Sequence, residues 1–202
     1  MIFGQRGEGK SALAWKLAED AHNKGGNVIA YQTPKKTRQL LPKWVKCVDE
    51  LKTLSNQNKT CIIVDEAALK AAARRHQSLE NRLWGTLAAI SRQNDHLLIF
   101  VAQHTRQVDI NIVGDADIII FKRPSLLHVR FSRPEFRADV LAARNAILSK
   151  GKHSNKWSVV RDFNEGRQGI ISNGLPSFWS EELSKSFQQS NIEDFVSNKK
   201  RQ

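Results

Sequence analysis

Cysteine is nearly missing. Cys47 and Cys61 are the only two in 202 residues, too few for a disulfide framework, and they point to a reducing, intracellular setting. No apolar run approaches about 18 residues, so no transmembrane helix is expected. No signal peptide precedes the first motif, which argues against secretion. The six histidines (His22, His76, His96, His104, His128 and His153) fall without metal-ligand spacing, which argues against a dedicated zinc site. Internal repeats and low-complexity tracts are absent too. Acidic residues are in short supply: 20 Asp+Glu stand against 32 Lys+Arg, a formal net charge of +12. That excess suits a polyanionic partner, nucleic acid or an anionic membrane surface, although a basic, merely solvated surface has the same composition. At 40% hydrophobic and 26% charged residues, the chain reads as one globular domain with a sizeable core.

What is present begins at once. The stretch MIFGQRGEGKS reads G-x-x-x-x-G-K-S, from Gly4 through Gly9, Lys10 and Ser11. Glycines let backbone N–H groups curl around phosphate oxygens, and a following helix adds its positive end. The loop Gly4, Gln5, Arg6, Gly7, Glu8, Gly9, Lys10, Ser11 and Ala12 is therefore the expected nucleotide cradle. Lys10 is placed for the β- and γ-phosphates and Ser11 for Mg²⁺. A helix follows, with Leu13 and Leu17 on one face. The strand before the loop is only Met1 to Phe3, so it is either very short or incomplete.

Further along, Gly25-Gly26 closes the first helix and residues 27–33 read as a buried strand. Residues 34–44 read as loop between Pro34 and Pro42, followed by a short strand at 44–48. CIIVDE ends a β-branched run in Asp65 and Glu66. Some fifty residues after a complete P-loop, such a pair supplies a metal ligand, Asp65, and a water-activating carboxylate, Glu66. Leu79, Leu83, Leu87 and Ile90 mark an amphipathic helix. Residues 96–103 and 117–124 are further strands, and SLLHVRFS reads as one more extension of the sheet. Pro134 opens a helix expected to turn Phe136, Val140, Ile147 and Leu148 inward. Two β-rich runs around Asn164-Glu165-Gly166 predict a hairpin. Alternating strands and helices behind a P-loop imply an α/β fold, a three-layer P-loop NTPase core with a mostly parallel sheet. The expected division is a core over 1–150, a C-terminal hairpin and helix packed on it over 151–189, and a flexible basic tail over 190–202.

The run SRQND-HLLIFVAQHT followed by VDINIVGDADIIIFKRP, together with the two Walker motifs, resembles the FtsK–HerA superfamily of P-loop motor ATPases. The matching positions are Arg92, Gln103 and Ala116-Asp117-Ile118-Ile119-Ile120, and the resemblance covers roughly residues 1–121. It implies that Gln103 senses the γ-phosphate and that Arg92 acts on a neighbour's site. ATP with Mg²⁺ and a homo-oligomeric ring, a hexamer by preference, are implied as well. In compactness the chain is similar to genome-packaging ATPases of internal-membrane viruses. That likeness implies double-stranded DNA as cargo, a capsid or membrane-vertex protein as partner, and a host-cytoplasmic or virion location. Lys35, Lys36, Arg38, Arg74 and Arg75 are the candidate DNA contacts, although basic loops and polar helix faces are more often only solvated. Two other readings stand beside this one: a Zot-like ATPase driving protein or filament assembly or secretion, and a small-molecule kinase.

Overall fold

A computed structural model describes residues 1–50, 58–65, 91, 93–108 and 110–187. In chain order the first half holds β1 (Ile2–Phe3), α1 (Lys10–Asn23), β2 (Asn27–Tyr31), α2 (Lys35–Leu40), β3 (Val45–Val48) and β4 (Thr60–Val64). The second half holds β5 (Leu97–Ala102), α3 (Ile110–Gly114), β6 (Ile118–Phe121), α4 (Leu126–Phe131), α5 (Arg137–Leu148), β7 (Trp157–Asp162) and β8 (Gln168–Ser172). Residues 181–187 form a further helix.

The eight strands among the described residues join one sheet in the order β3-β2-β4-β5-β1-β6-β7-β8. The pairs among β1 to β6 are parallel. The predicted hairpin is present, and it continues the sheet rather than standing apart: β7 runs antiparallel to β6, and β8 to β7. The α/β P-loop architecture expected from the sequence is the one observed.

Burial explains why these runs became strands. β4 is buried at all five positions, as a parallel strand covered on both faces must be. Successive residues then feed opposite cores. Phe3, Ile29, Ile62, Phe100 and Phe121 pack on one face with Val113 of α3 and Val140 of α5. Ile2, Val28, Ile63, Ile99 and Ile120 pack on the other with Leu13, Ala14 and Trp15 of α1. The C-terminal segment docks on the α1 side, where the Phe178 ring meets Trp15 edge-on at 6.1 Å.

Three expectations needed correction. Residues 35–40, read as loop, form α2: Pro34 sits just before the first turn, where its missing N–H costs nothing. SLLHVRFS, read as sheet, is α4, because the Ser125 hydroxyl accepts the His128 N–H and closes a helical turn. Leu148, expected inside, is 39% exposed, whereas Val140 and Ile147 are buried as expected.

Candidate nucleotide site

Parallel strands place their C-terminal ends on one edge, and the loops leaving that edge build the site. β1 is flanked by β5 and β6, with Phe3 in register with both Ala102 and Phe121. The residues after each strand therefore emerge side by side: Gly4 in the middle, Gln103 on one side, Lys122 and Arg123 on the other. β4 lies beyond β5, so Asp65 reaches the same edge one strand further out. The sequence-predicted Lys10, Ser11, Asp65 and Gln103 are thus brought to one rim. Glu66, Arg74, Arg75 and Arg92 lie outside the described residues.

The loop takes the conformation its glycines permit. Gly4, Gly7 and Gly9 have φ of 148°, 82° and 79°, all in territory side chains avoid. Gly4 also needs its missing Cβ for space, since one there would sit 2.5 Å from the Lys122 carbonyl oxygen. The loop is tied to β6 by Lys122 N–H donating to Phe3 O at 2.7 Å and Gln5 N–H to Arg123 O at 3.2 Å. Gly9 then starts α1, and Leu13 N–H donates to its carbonyl at 3.0 Å. The Lys10 ammonium is turned back onto the loop, donating to Gln5 O at 3.0 Å. A cation held over a concave, glycine-lined turn at a helix start is an anion-binding arrangement.

Two supports were not foreseen. Buried Glu8 accepts from Arg123, which donates through Nε at 3.0 Å and also through Nη2. Lys122 is fully buried and donates all three protons, to Asn155 O at 2.6 Å, Trp157 O at 3.1 Å and Asn173 Oδ1 at 3.3 Å. Burial pulls its pKa down to about 8, against the opposing pull of Glu8. Lys122 thus ties the strand end beside the loop to the residues bordering β7 and β8, and Arg123 ties it to the loop itself.

On the other side, the Gln107 side chain accepts from Gln103 N–H at 2.7 Å and His104 N–H at 3.2 Å. This clips the end of β5. His104 stacks on His128 of α4, ring centroids 4.1 Å apart, and the stack crosses from the end of β5 to the helix after β6. Burial, then His104 and Lys10, push the His128 pKa down to about 4. No sequence signal joined these two histidines; only the strand order does. Among the candidate DNA contacts, Lys35 and Lys36 are exposed. Arg38 is engaged internally, donating to Thr33 O at 2.6 Å and pairing with Asp49. Arg106 is exposed.

Sheet order and loop together have the α/β architecture of P-loop NTPases. No protein-family model and no curated protein matches the sequence. Among solved structures, the genome-packaging NTPase B204 of Sulfolobus turreted icosahedral virus 2, in complex with ATP-γS, superposes with a TM-score of 0.57 at 14% identity. The alignment covers 86% of this chain and 96% of that one. Its sulfate complex gives 0.60 at the same identity. The pCW3 conjugation coupling protein TcpA, with ATP-γS, gives 0.60 at 13% identity, over 94% of this chain and 64% of that one. At such identities the likeness is one of fold.

Proposed function

We propose that this chain hydrolyses ATP with Mg²⁺ and spends the energy moving duplex DNA as a ring of identical subunits, as a genome-packaging motor does. The observation that carries the reading is the rim itself: a glycine-shaped P-loop with Lys10 at its centre, flanked by the strand ends that bear Gln103 and Asp65. The cradle fits a triphosphate, because three glycines at positive φ shape the loop and the Lys10 ammonium lies on it, at the Gln5 carbonyl. In this reading Lys10 leaves Gln5 O to neutralise the phosphates, while the loop N–H groups and the start of α1 hold them. Ser11 and Asp65 hold the magnesium, which supplies charge neutralisation between the phosphates. Glu66 takes the proton of the attacking water, and Gln103 reads the terminal phosphate at the tip of the clipped β5.

A ring is supported by the outer face of α4. Leu126, Leu127 and Phe131 are 64%, 62% and 52% exposed beside the site, where a neighbouring subunit would cover them. Arg92 of that neighbour is the proposed partner for the transition-state charge, a role worth about 10³–10⁵ in rate. The +12 charge and the fold shared with B204 favour DNA as cargo over protein. Host cytoplasm or virion is the matching location.

Hydrolysis assays with and without duplex DNA test the reading. Lys10→Ala should lose turnover. Glu66→Gln should keep ATP binding while hydrolysis falls at least about 100-fold, at the lower end of what a positioned base contributes. Turnover near wild type in Glu66→Gln would remove Glu66 from its role. ATPase activity indifferent to DNA at low salt would favour the protein-assembly alternative.

A further inference from the structure

The His104–His128 stack is used by nothing described so far. His128 is nine-tenths buried, with 9% of its surface exposed. Its Nδ1 accepts the Ser125 backbone N–H at 3.3 Å and lies 2.5 Å from Ser125 Oγ. Ser125 Oγ in turn accepts the His128 backbone N–H at 3.2 Å, so its own proton is free to go to Nδ1. Both contacts make Nδ1 the acceptor and leave the ring proton on Nε2. Nε2 is buried and has no hydrogen-bond partner among the described residues. A buried donor without an acceptor is costly and uncommon. It sits on the ring edge facing away from Ser125, close enough to Lys10 for that ammonium to act on it electrostatically.

Position decides what the missing acceptor is. The stack joins the residue directly after Gln103 to the helix that follows β6, and β1 lies between those two strands. It therefore bridges the ends of the two strands that flank β1, the strand from which the P-loop leaves. The ring is not a cation there: its proton affinity is already lowered by burial, by His104 and by Lys10. A neutral donor beside a cation in an anion-binding loop fits an oxyanion.

We infer that His128 Nε2–H is a ligand for the terminal phosphate group of the bound nucleoside triphosphate, so that α4 is tied to the presence of that group. The inference rests on the nucleotide reading above and deepens it. Gln103 would touch the same phosphate from β5, and the stacked His104 would couple the two contacts. Since α4 turns Leu126, Leu127 and Phe131 outward, loss of the terminal phosphate would be felt on that outer face.

The test is equilibrium binding of Mg-ATPγS and Mg-ADP to the full chain by calorimetry. His128→Phe keeps the ring for stacking but removes the donor; His128→Gln puts an amide nitrogen near the Nε2 position. A hydrogen bond to a charged group corresponds to about a 10-fold or larger change in affinity. His128→Phe should therefore weaken ATPγS by about 10-fold or more while ADP changes by less than about 2-fold, and His128→Gln should recover most of the loss. Equal weakening of both nucleotides, or of neither, overturns the inference and leaves the nucleotide reading standing. If the wild-type chain binds neither nucleotide, both fall together. Should His128→Phe fail to fold, the ¹⁵N resonance of His128 Nε2 in the wild-type chain decides. It should shift on adding Mg-ATPγS and stay near its free position with Mg-ADP; the same shift with both would overturn the inference.

Discussion

Gly4 and Lys122 show how one residue pair can set the shape of a binding loop. A methyl at Gly4 would press on the Lys122 backbone at 2.5 Å, and a φ of 148° is strained for alanine besides. Gly4→Ala should destabilise the chain by about 1–3 kcal/mol and weaken nucleotide binding more than Gly7→Ala does, since nothing stands within 4 Å of a Cβ at Gly7. Both effects are readable by urea unfolding and calorimetry. Lys122 itself carries a pH signature. Its pKa falls from 10.5 to about 8 in the folded chain because burial disfavours the charge. Between those values the unfolded chain binds the proton more strongly, so stability rises with pH across the window and is lost again as pH falls through about 8. Unfolding free energies of wild type and Lys122→Met, compared from pH 7.5 to 10, should diverge in favour of wild type as pH rises. A pH-independent difference would mean the ammonium is not held as its three neutral acceptors imply. Gly4 was legible in the sequence because motif and backbone chemistry coincide. Lys122 was not, since its partners lie more than thirty positions away.

At the level of elements, the strands were legible and the short helices were not. Residues 60–64 and 97–102 announce themselves through β-branched runs, because a strand buried on both faces has to be apolar throughout. α2 and α4 are six residues each, too short for periodicity to show. α4 misled further because Leu126, Leu127 and Phe131 face outward and only Val129 packs on the core, so no helical apolar face shows in the sequence. The Ser125-x-x-His128 spacing was the available clue, a cap with a reciprocating side chain at its third position. The C-terminal segment has its own latch. Glu19 of α1 accepts from the Ser177 N–H at 2.8 Å and from its hydroxyl, and pairs with Lys16 at 2.9 Å. Ser177 first and Lys16 second lower the Glu19 pKa to about 2. The unfolded chain therefore takes up this proton first on acidification, and stability is lost as pH falls from 4.5 through about 2. Glu19→Ala should cost about 2 kcal/mol near neutral pH and flatten that acid limb. Docking of Phe178 on Trp15 should loosen with it, read as a shift in tryptophan fluorescence. Unchanged stability at neutral pH would show the latch to be idle.

For the whole molecule, the sheet order and the charge balance meet in one testable property. Strand order places every loop of the candidate site on one edge, with the Walker strands β1 and β4 separated by the strand that ends at Gln103. A nucleotide bound as proposed would take up one rim, and a polyanionic cargo would have to be held elsewhere on the surface. Acids already engaged with bases, such as Glu8 with Arg123 and Asp139 with Arg161, cancel in pairs; the formal excess of +12 remains for a partner. A protein that translocates duplex cannot depend on base sequence, so its contacts go to phosphates. Each neutralised phosphate releases condensed counterions, and the logarithm of affinity falls with the logarithm of salt concentration at a slope near −0.9 per phosphate. With about 6–10 such contacts per assembly, affinity should drop about 10³- to 10⁵-fold between 50 and 200 mM salt. Two duplexes of unrelated sequence should follow the same line. Lys35→Glu with Lys36→Glu, at exposed positions on α2, should make the slope shallower while leaving nucleotide affinity in place. Fluorescence anisotropy with labelled duplex, at fixed nucleotide and stepped salt, measures all of this. A steep slope that the double variant does not alter moves the DNA path away from α2. A flat salt response, or no duplex binding at 50 mM, removes DNA as the cargo and leaves the ATPase to act on protein.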